Sequence, residues 1–188
     1  MRRYEETELC RIALKWGTDK TPLIYHPYTP FYTELLRGRD IRRVLEIGID
    51  RGASLRMWRE YFPAAQIFGL DVRIQTLFTE ERIETRLCDA SDAAMLASTV
   101  DELGGNFDLI VDDGDHLTAH QILAVNVLLP FLSPEGVYVI EDVTEQGVIT
   151  SQLRVPHSIY KTYPFDDPGH TQANNNCLVV VAKADLKT

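Results

Sequence analysis

The chain has 188 residues, with 19 Lys plus Arg against 28 Asp plus Glu and a formal net charge of −9. Apolar residues make up 45% and charged residues 25%, an ordinary globular composition that excludes a disordered tail or a fibrous repeat. The negative balance argues against a nucleic-acid partner: the most basic stretch, Arg37-Gly38-Arg39-Asp40-Ile41-Arg42-Arg43, is short and interrupted by an acid.

The length suits a single domain over residues 1–188. No apolar h-region follows Met1-Arg2-Arg3-Tyr4, and no apolar run approaches the ~20 residues of a membrane span. Cys10, Cys88 and Cys177 sit in no CxxC or Cys/His ligand spacing and read as reduced thiols. A cytoplasmic protein without a membrane partner is the expectation. A homo-oligomer is left open.

From Tyr4 to Trp16 the spacing of Leu9, Ile12, Ala13 and Trp16 predicts a helix, with Gly17 as its stop. Thr29-Pro30 reads as an N-cap and first helical residue, followed by Phe31, Leu35 and Leu36 on one face. Val44–Ile47 predicts a buried strand, then a glycine-bearing loop and a helix from Ser54 to Tyr61. Further strands are expected at Gln66–Asp71, Ile83–Cys88, Phe107–Val111 and Val137–Ile140. Between them fall a helix capped by Ser91 and ending at Leu103, and another from Thr118 to Phe131.

After Asp142 the rhythm changes. Turn residues at Pro164 and Asp166-Asp167-Pro168-Gly169 surround a strand expected at Ser158–Tyr163, and Leu178–Ala182 reads as a last strand. His157, His170 and Asn174-Asn175-Asn176 read as surface loop. This alternation predicts an α/β fold: a doubly wound, Rossmann-like, mostly parallel seven-stranded sheet with an antiparallel C-terminal strand and helices on both faces. Residues 1–40 are expected as an N-terminal helical lid segment and 41–188 as the core.

Every predicted parallel strand ends in an acid: Glu46, Asp71, Asp89, Asp112-Asp113 and Glu141-Asp142. In an open doubly wound sheet, ligands bind beyond those ends. The first loop, Glu46-Ile47-Gly48-Ile49-Asp50-Arg51-Gly52, has Asp50 where GxGxxG needs its second Gly, which disfavours NAD and FAD; no Gly-Lys-Ser/Thr follows, so it is no P-loop either. Asp71 lies 23 residues after Gly48, where a carboxylate can accept ribose hydroxyls. Asp89 can accept from the adenine amine. Glycines, a ribose acid and an adenine acid without a phosphate cradle describe S-adenosylmethionine (SAM).

Val44-Leu-Glu-Ile-Gly-Ile-Asp-Arg-Gly52 with Gly69-Leu-Asp71 resembles the core of class I SAM-dependent methyltransferases. A narrower likeness rests on Lys15-Trp-Gly-Thr-Asp-Lys20, on His26, Tyr28 and Tyr32, on Ser54-Leu-Arg-Met-Trp58 with Tyr61-Phe-Pro63, on Asp112-Asp-Gly-Asp-His116, and on Gly136-Val-Tyr-Val-Ile-Glu-Asp142. As a set these resemble the metal-dependent sugar O-methyltransferases of macrolide biosynthesis. The resemblance implies His116 as general base and Mg²⁺ held by Asp113, Glu141 and Asp142. It implies a SAM site at Glu46, Gly48, Gly52, Asp71, Asp89 and Asp112. The family usually has Ser at the position of Asp115, and its members carry a large N-terminal auxiliary domain for which these residues leave no room.

The chemistry is consistent with those roles. A hard cation on carboxylate oxygens acidifies a coordinated hydroxyl, and an imidazole takes protons near neutral pH. Adjacent strand residues face opposite ways, so only one of Asp112 and Asp113 is expected at the metal. Asp115 reads as a helix cap and His120 as a surface residue; Trp16, Tyr25, Tyr28, Phe31 and Tyr32 read individually as packing and, as a cluster with His26, as a lid. The expected activity is SAM- and Mg²⁺-dependent methylation of a hydroxyl of a sugar moiety or of another small natural product. A catechol-type acceptor and an inactive SAM-binding partner subunit are the alternatives.

Overall fold

A computed structural model of the chain describes residues 5–162 and 177–186. Tyr4, Tyr163, Pro164, the Asp166–Gly169 turn, His170 and Asn174–Asn176 lie outside the described residues. The first helix, α1 (Glu8–Trp16), is capped by Thr7, whose side chain accepts from the Cys10 N–H, and it stops at Gly17 in the left-handed conformation. The second, α2 (Tyr28–Leu35), begins one residue before the expected cap. Thr29 is not that cap: the N–H groups of Tyr28 and Thr29 donate to the Lys20 carbonyl at 3.1 and 3.0 Å, so a distant backbone oxygen satisfies them.

The sheet is built from β1 (Arg43–Ile47), β2 (Gln66–Asp71), β3 (Thr79–Glu80), β4 (Ile83–Leu87), β5 (Phe107–Asp112), β6 (Leu132–Ile140), β7 (Ser158–Lys161) and β8 (Cys177–Ala182). Their order is β3-β4-β2-β1-β5-β6-β8-β7. Strands β4, β2, β1, β5 and β6 run parallel, while β8 is antiparallel to both β6 and β7. The doubly wound fold and the antiparallel C-terminal strand are as expected. The eighth strand is the two-residue β3, antiparallel to β4 at the edge and too short to carry an alternating pattern.

Helices α1, α2 and α3 (Ala53–Tyr61) cover one face, packing Leu9, Tyr28, Tyr32, Leu55 and Trp58 on Val44, Ile67, Val111 and Val139. Helices α4 (Ala93–Glu102), α5 (Thr118–Leu128) and α6 (Gln146–Gln152) cover the other, on Leu45, Phe68, Ile110 and Tyr138. Thus α1 and α2 belong to the packed core, and the loop between them is what reaches the strand ends. The α4 cap is Asp92, not Ser91: the Asp92 carboxylate accepts from the N–H groups of Ala94 and Met95, while Ser91 donates to Asp89. Helix α6 had no periodic signal strong enough to be read from sequence.

The parallel hydrogen-bond pattern runs one residue past the strands. Gly48 N–H donates to Leu70 O, Asp113 N–H to Ile47 O and Glu141 N–H to Asp112 O. Chain order reverses between β1 and β5, so the ligand crevice opens there. Gly48 has φ +92°, and a Cβ on it would lie 2.1 Å from the Asp113 carbonyl oxygen. Gly48→Ala is therefore expected to cost about 2 kcal/mol or more of stability, read by urea denaturation. Unchanged stability would mean that the 48 and 113 loops separate freely.

Asp112 ends β5 under the sheet's rim, where its Oδ2 accepts from the buried Tyr138 hydroxyl at 3.0 Å. Burial pushes its carboxyl up to about 6, against the pull of the Tyr138 and Gly114 hydrogen bonds. A carboxyl raised on folding contributes stability below its ordinary value of 3.8 and loses it as pH rises through about 6. Asp112→Asn keeps an acceptor for Tyr138 and escapes that loss. Between about pH 4 and about pH 8 the variant should gain on the wild type by up to about 3 kcal/mol in denaturant titrations. A pH-independent difference would show that Asp112 titrates alike in both states.

Candidate active site

Beyond the strand ends lies a cavity of about 600 Å³, within the usual range for small-molecule sites. Gly48, Asp71, Asp89, Asp112, Asp113, His116 and Asp142 line it, as do residues 17–20 of the α1–α2 loop. Gly52 sits one residue behind the wall at the start of α3, with φ +72° and its N–H on the Ile49 carbonyl. Glu46 and Glu141 are buried and are not among the lining residues.

At the end formed by Asp71 and Asp89, backbone N–H groups hold the carboxylates together with the Arg73 and Ser91 side chains. Asp71 Oδ2 accepts from the Ile49 N–H at 3.1 Å, and Oδ1 from the Arg73 N–H at 2.8 Å. The Arg73 guanidinium also covers this carboxylate, at 3.2 and 3.4 Å, with a side chain that is mostly exposed. Burial would raise the Asp71 carboxyl, but the Arg73 and Ile49 bonds outweigh it and hold it below the ordinary range. Asp89 takes both the N–H and the hydroxyl of Ser91 on one oxygen, Oδ1, which lowers its carboxyl as well.

At the other end, alternation along the strands separates the paired acids. Asp112 turns toward Tyr138, whereas Asp113 turns to the face covered by α1–α3, as do Glu46 and Glu141. Asp113, His116 and Asp142 bring one ligand atom each within 4.8 Å of one another. Asp113, and not Asp112, is thus the acid of that pair beside Asp142. His116 Nε2 stands 3.8 Å from Asp142 Oδ2, and the buried Nδ1 has no hydrogen-bond partner among the described residues. Asp50, His116 and Asp142 all have left-handed backbones, at φ 44°, 60° and 53°. Asp and His are among the non-glycine residues that enter this region most readily, and three of them cluster at the rim of the cavity.

Glu141 does not join the Asp113–Asp142 group. It is buried, its Oε1 accepts from the Tyr32 hydroxyl at 2.5 Å and its Oε2 from the Lys20 ammonium. Glu46, placed at the SAM site from sequence, instead accepts from the Trp58 indole N–H at 2.7 Å through Oε2, with Lys20 at 3.6 Å from Oε1. Burial and the surrounding acids push both carboxyls up, against the pull of Lys20.

Lys20, Tyr28 and Tyr32 were not read as partners of these acids. Tyr28 donates its hydroxyl to Asp142 Oδ1 at 2.5 Å, and His26 stacks on Tyr28 with Nδ1 3.8 Å from the same oxygen. Burial and the neighbouring carboxylates hold both phenols above their ordinary range, which keeps them donors. The signal available was the grouping of His26, Tyr28 and Tyr32 before the first strand. Asp115 is not the helix cap itself; it accepts from the Leu117 N–H and pairs with His120 Nδ1 at 2.6 Å.

The described helices include none long and apolar enough to cross a membrane. No protein-family model matches the chain. It is 37% identical over 144 residues to the 8-demethyl-8-alpha-L-rhamnosyl tetracenomycin-C 2'-O-methyltransferase of Streptomyces olivaceus, a match over 71% of this chain and 37% of that protein. It is 38% identical over 146 residues to the mycinamicin VI 2''-O-methyltransferase of Micromonospora griseorubida, over 72% of this chain and 36% of that protein. The solved MycE methyltransferase from the mycinamycin biosynthetic pathway, in complex with Mg, SAH and mycinamycin VI, matches with a TM-score of 0.67 and 35% identity, over 73% of this chain and 40% of that one. The chain spans little more than a third of the length of these curated relatives. In sequence and in fold it resembles the sugar O-methyltransferases of the class I SAM-dependent type, over the region that carries the cavity and its acids.

Proposed function

We propose that this chain is a SAM-dependent O-methyltransferase domain, assisted by a divalent cation and acting on a hydroxyl of a small molecule that bears a sugar. The observation that carries this reading is the cavity itself, with Asp71 and Asp89 at one end and the Asp113–His116–Asp142 group at the other. Residues 1–188 are read as one such domain, with the α1–α2 loop closing the wall of the cavity.

The residues fit the two groups. Asp71 can exchange the exposed Arg73 guanidinium for ribose hydroxyls while keeping its backbone N–H bonds, and Asp89 faces the same cavity. Oxygen ligands suit a hard cation better than imidazole does, so Asp113 and Asp142 are the holders and His116 is left free for the proton. Bound there, SAM supplies a methyl already activated on sulfur, and a divalent cation acidifies a hydroxyl that it coordinates. His116 Nε2 receives the hydroxyl proton, and Asp142 Oδ2 at 3.8 Å stabilises the resulting imidazolium. Tyr28 fixes the Asp142 carboxylate from its other oxygen. Placement of hydroxyl oxygen, methyl carbon and sulfur in line is the remaining contribution of the cavity walls.

Calorimetry should show micromolar SAH binding and none for NAD, with Asp71→Ala weakening SAH at least about tenfold. Equal SAH affinity in that variant would remove Asp71 from the donor site. In turnover assays with a rhamnosylated or related acceptor, His116→Ala should lower kcat by ~10²–10⁴-fold while Mg²⁺ affinity stays nearly intact. Asp142→Ala should instead be partly rescued by high Mg²⁺. Rescue of the His116 variant alone would reverse the two roles, and full activity in EDTA would sink the cation.

A further inference from the structure

Lys20 is a basic side chain buried among acids, and the reaction proposed above does not use it. Its side chain is 2% exposed. The ammonium bonds Asp113 Oδ2 and Glu141 Oε2 and stands 3.6 Å from Glu46 Oε1, a buried atom with no hydrogen-bond partner among the described residues. Three carboxylates therefore share one ammonium, and one of them, Asp113, is also in the group suited to a divalent cation. Burial alone would pull the ammonium down; Asp113, Glu141 and Glu46 more than offset it and hold it well above its ordinary value. Held against carboxylate oxygens of Asp113 and Glu141 with a third, from Glu46, at 3.6 Å, the lysine is a charged resident of the site.

We infer that Lys20 is a built-in counter-cation that a divalent ion must displace from Asp113, so that this lysine sets the metal affinity of the site. The inference rests on the proposed cation at Asp113 and Asp142. A +1 and a +2 charge sharing a carboxylate lie a few ångström apart, and their repulsion stays large even with protein-like screening. Lys20 is one of the cavity-lining residues, so an ammonium released from Asp113 adjoins open volume and keeps Glu141 and Glu46 as partners. Displacement would be felt by the whole loop: the Lys20 carbonyl caps α2, and α2 carries the Tyr28 and Tyr32 hydroxyls that bind Asp142 and Glu141. Metal occupancy and the seating of residues 17–29 are coupled through this one residue.

The test uses Mn²⁺ as the probe, with free ion followed by electron paramagnetic resonance in the absence of SAM and acceptor. Lys20→Met should bind Mn²⁺ at least about tenfold more tightly than the wild type, and Lys20→Arg, which keeps the charge, should stay within about threefold of it. A merely structural lysine would lower the melting temperature of both variants and leave Mn²⁺ affinity alone. A second measurement needs no variant. In the wild type, acetylation of Lys20 by a water-soluble acylating reagent, read by peptide mass spectrometry, should be slow in EDTA and rise several-fold with Mn²⁺. Equal Mn²⁺ affinity in wild type and Lys20→Met, or Lys20 acetylation unmoved by bound Mn²⁺, overturns the inference alone. Absence of Mn²⁺ binding in both proteins overturns it together with the proposed cation site.

Discussion

One ammonium among three carboxylates organises this molecule. Glu46, Asp113 and Glu141 come from three neighbouring strands, and strand alternation with parallel register turns all three to the same face. Desolvated acids this close repel one another and resist ionisation. Lys20 makes the arrangement tolerable, and removing one partner of such a buried pair costs about 3–5 kcal/mol. The lysine arrives from a loop far away in sequence. That loop is held because its own carbonyl caps α2, and α2 returns two tyrosine hydroxyls to the acids. The N-terminal helices are thereby part of the site's charge balance as well as part of the core.

The same network explains how the rim keeps its costly backbone. Asp50, His116 and Asp142 hold left-handed conformations, which Asp and His adopt more readily than most other non-glycine residues but still at some cost. Gly48 leaves its loop and the 113 loop in backbone contact, and Tyr28 pins the Asp142 carboxylate. Strain held by packing on both sides gives a pre-arranged site, in which Asp142 and His116 meet with little reorganisation left to make.

The two ends of the cavity differ in how their acids are treated. Asp71 is held low by the Arg73 side chain and by the N–H groups of Arg73 and Ile49, and Asp89 by the hydroxyl and N–H of Ser91, so both stay acceptors. Asp112, Glu46 and Glu141 are buried and pushed up, and each is tied to a side-chain donor: Tyr138, Trp58 and Tyr32. The first kind is open to the cavity as an acceptor, whereas Glu46 and Glu141 of the second kind are already engaged by the side chains around them.

Local pattern was enough for the strands. Apolar, β-branched runs such as Val44–Ile47 and Phe107–Val111, bounded by glycines and acids, leave few other structures open, and the acid after each strand marks the crevice of a doubly wound sheet. The motifs around Asp113, His116 and Asp142 were legible for the same reason, since each is a short contiguous stretch. The cap of α4 was read one residue early, at Ser91, because the choice fell to which N–H groups a side chain could reach, and it is Asp92 that reaches those of Ala94 and Met95. The division of the acids belonged to the tertiary structure alone. Glu141 and Asp142 are neighbours in sequence, yet one turns down to Lys20 and Tyr32 and the other up beside His116. Sequence determined that acids would gather at the strand ends; which of them lie open to the cavity and which are already neutralised depends on a lysine 93 and 121 residues away from two of its partners, and nothing local encodes a pairing at that distance.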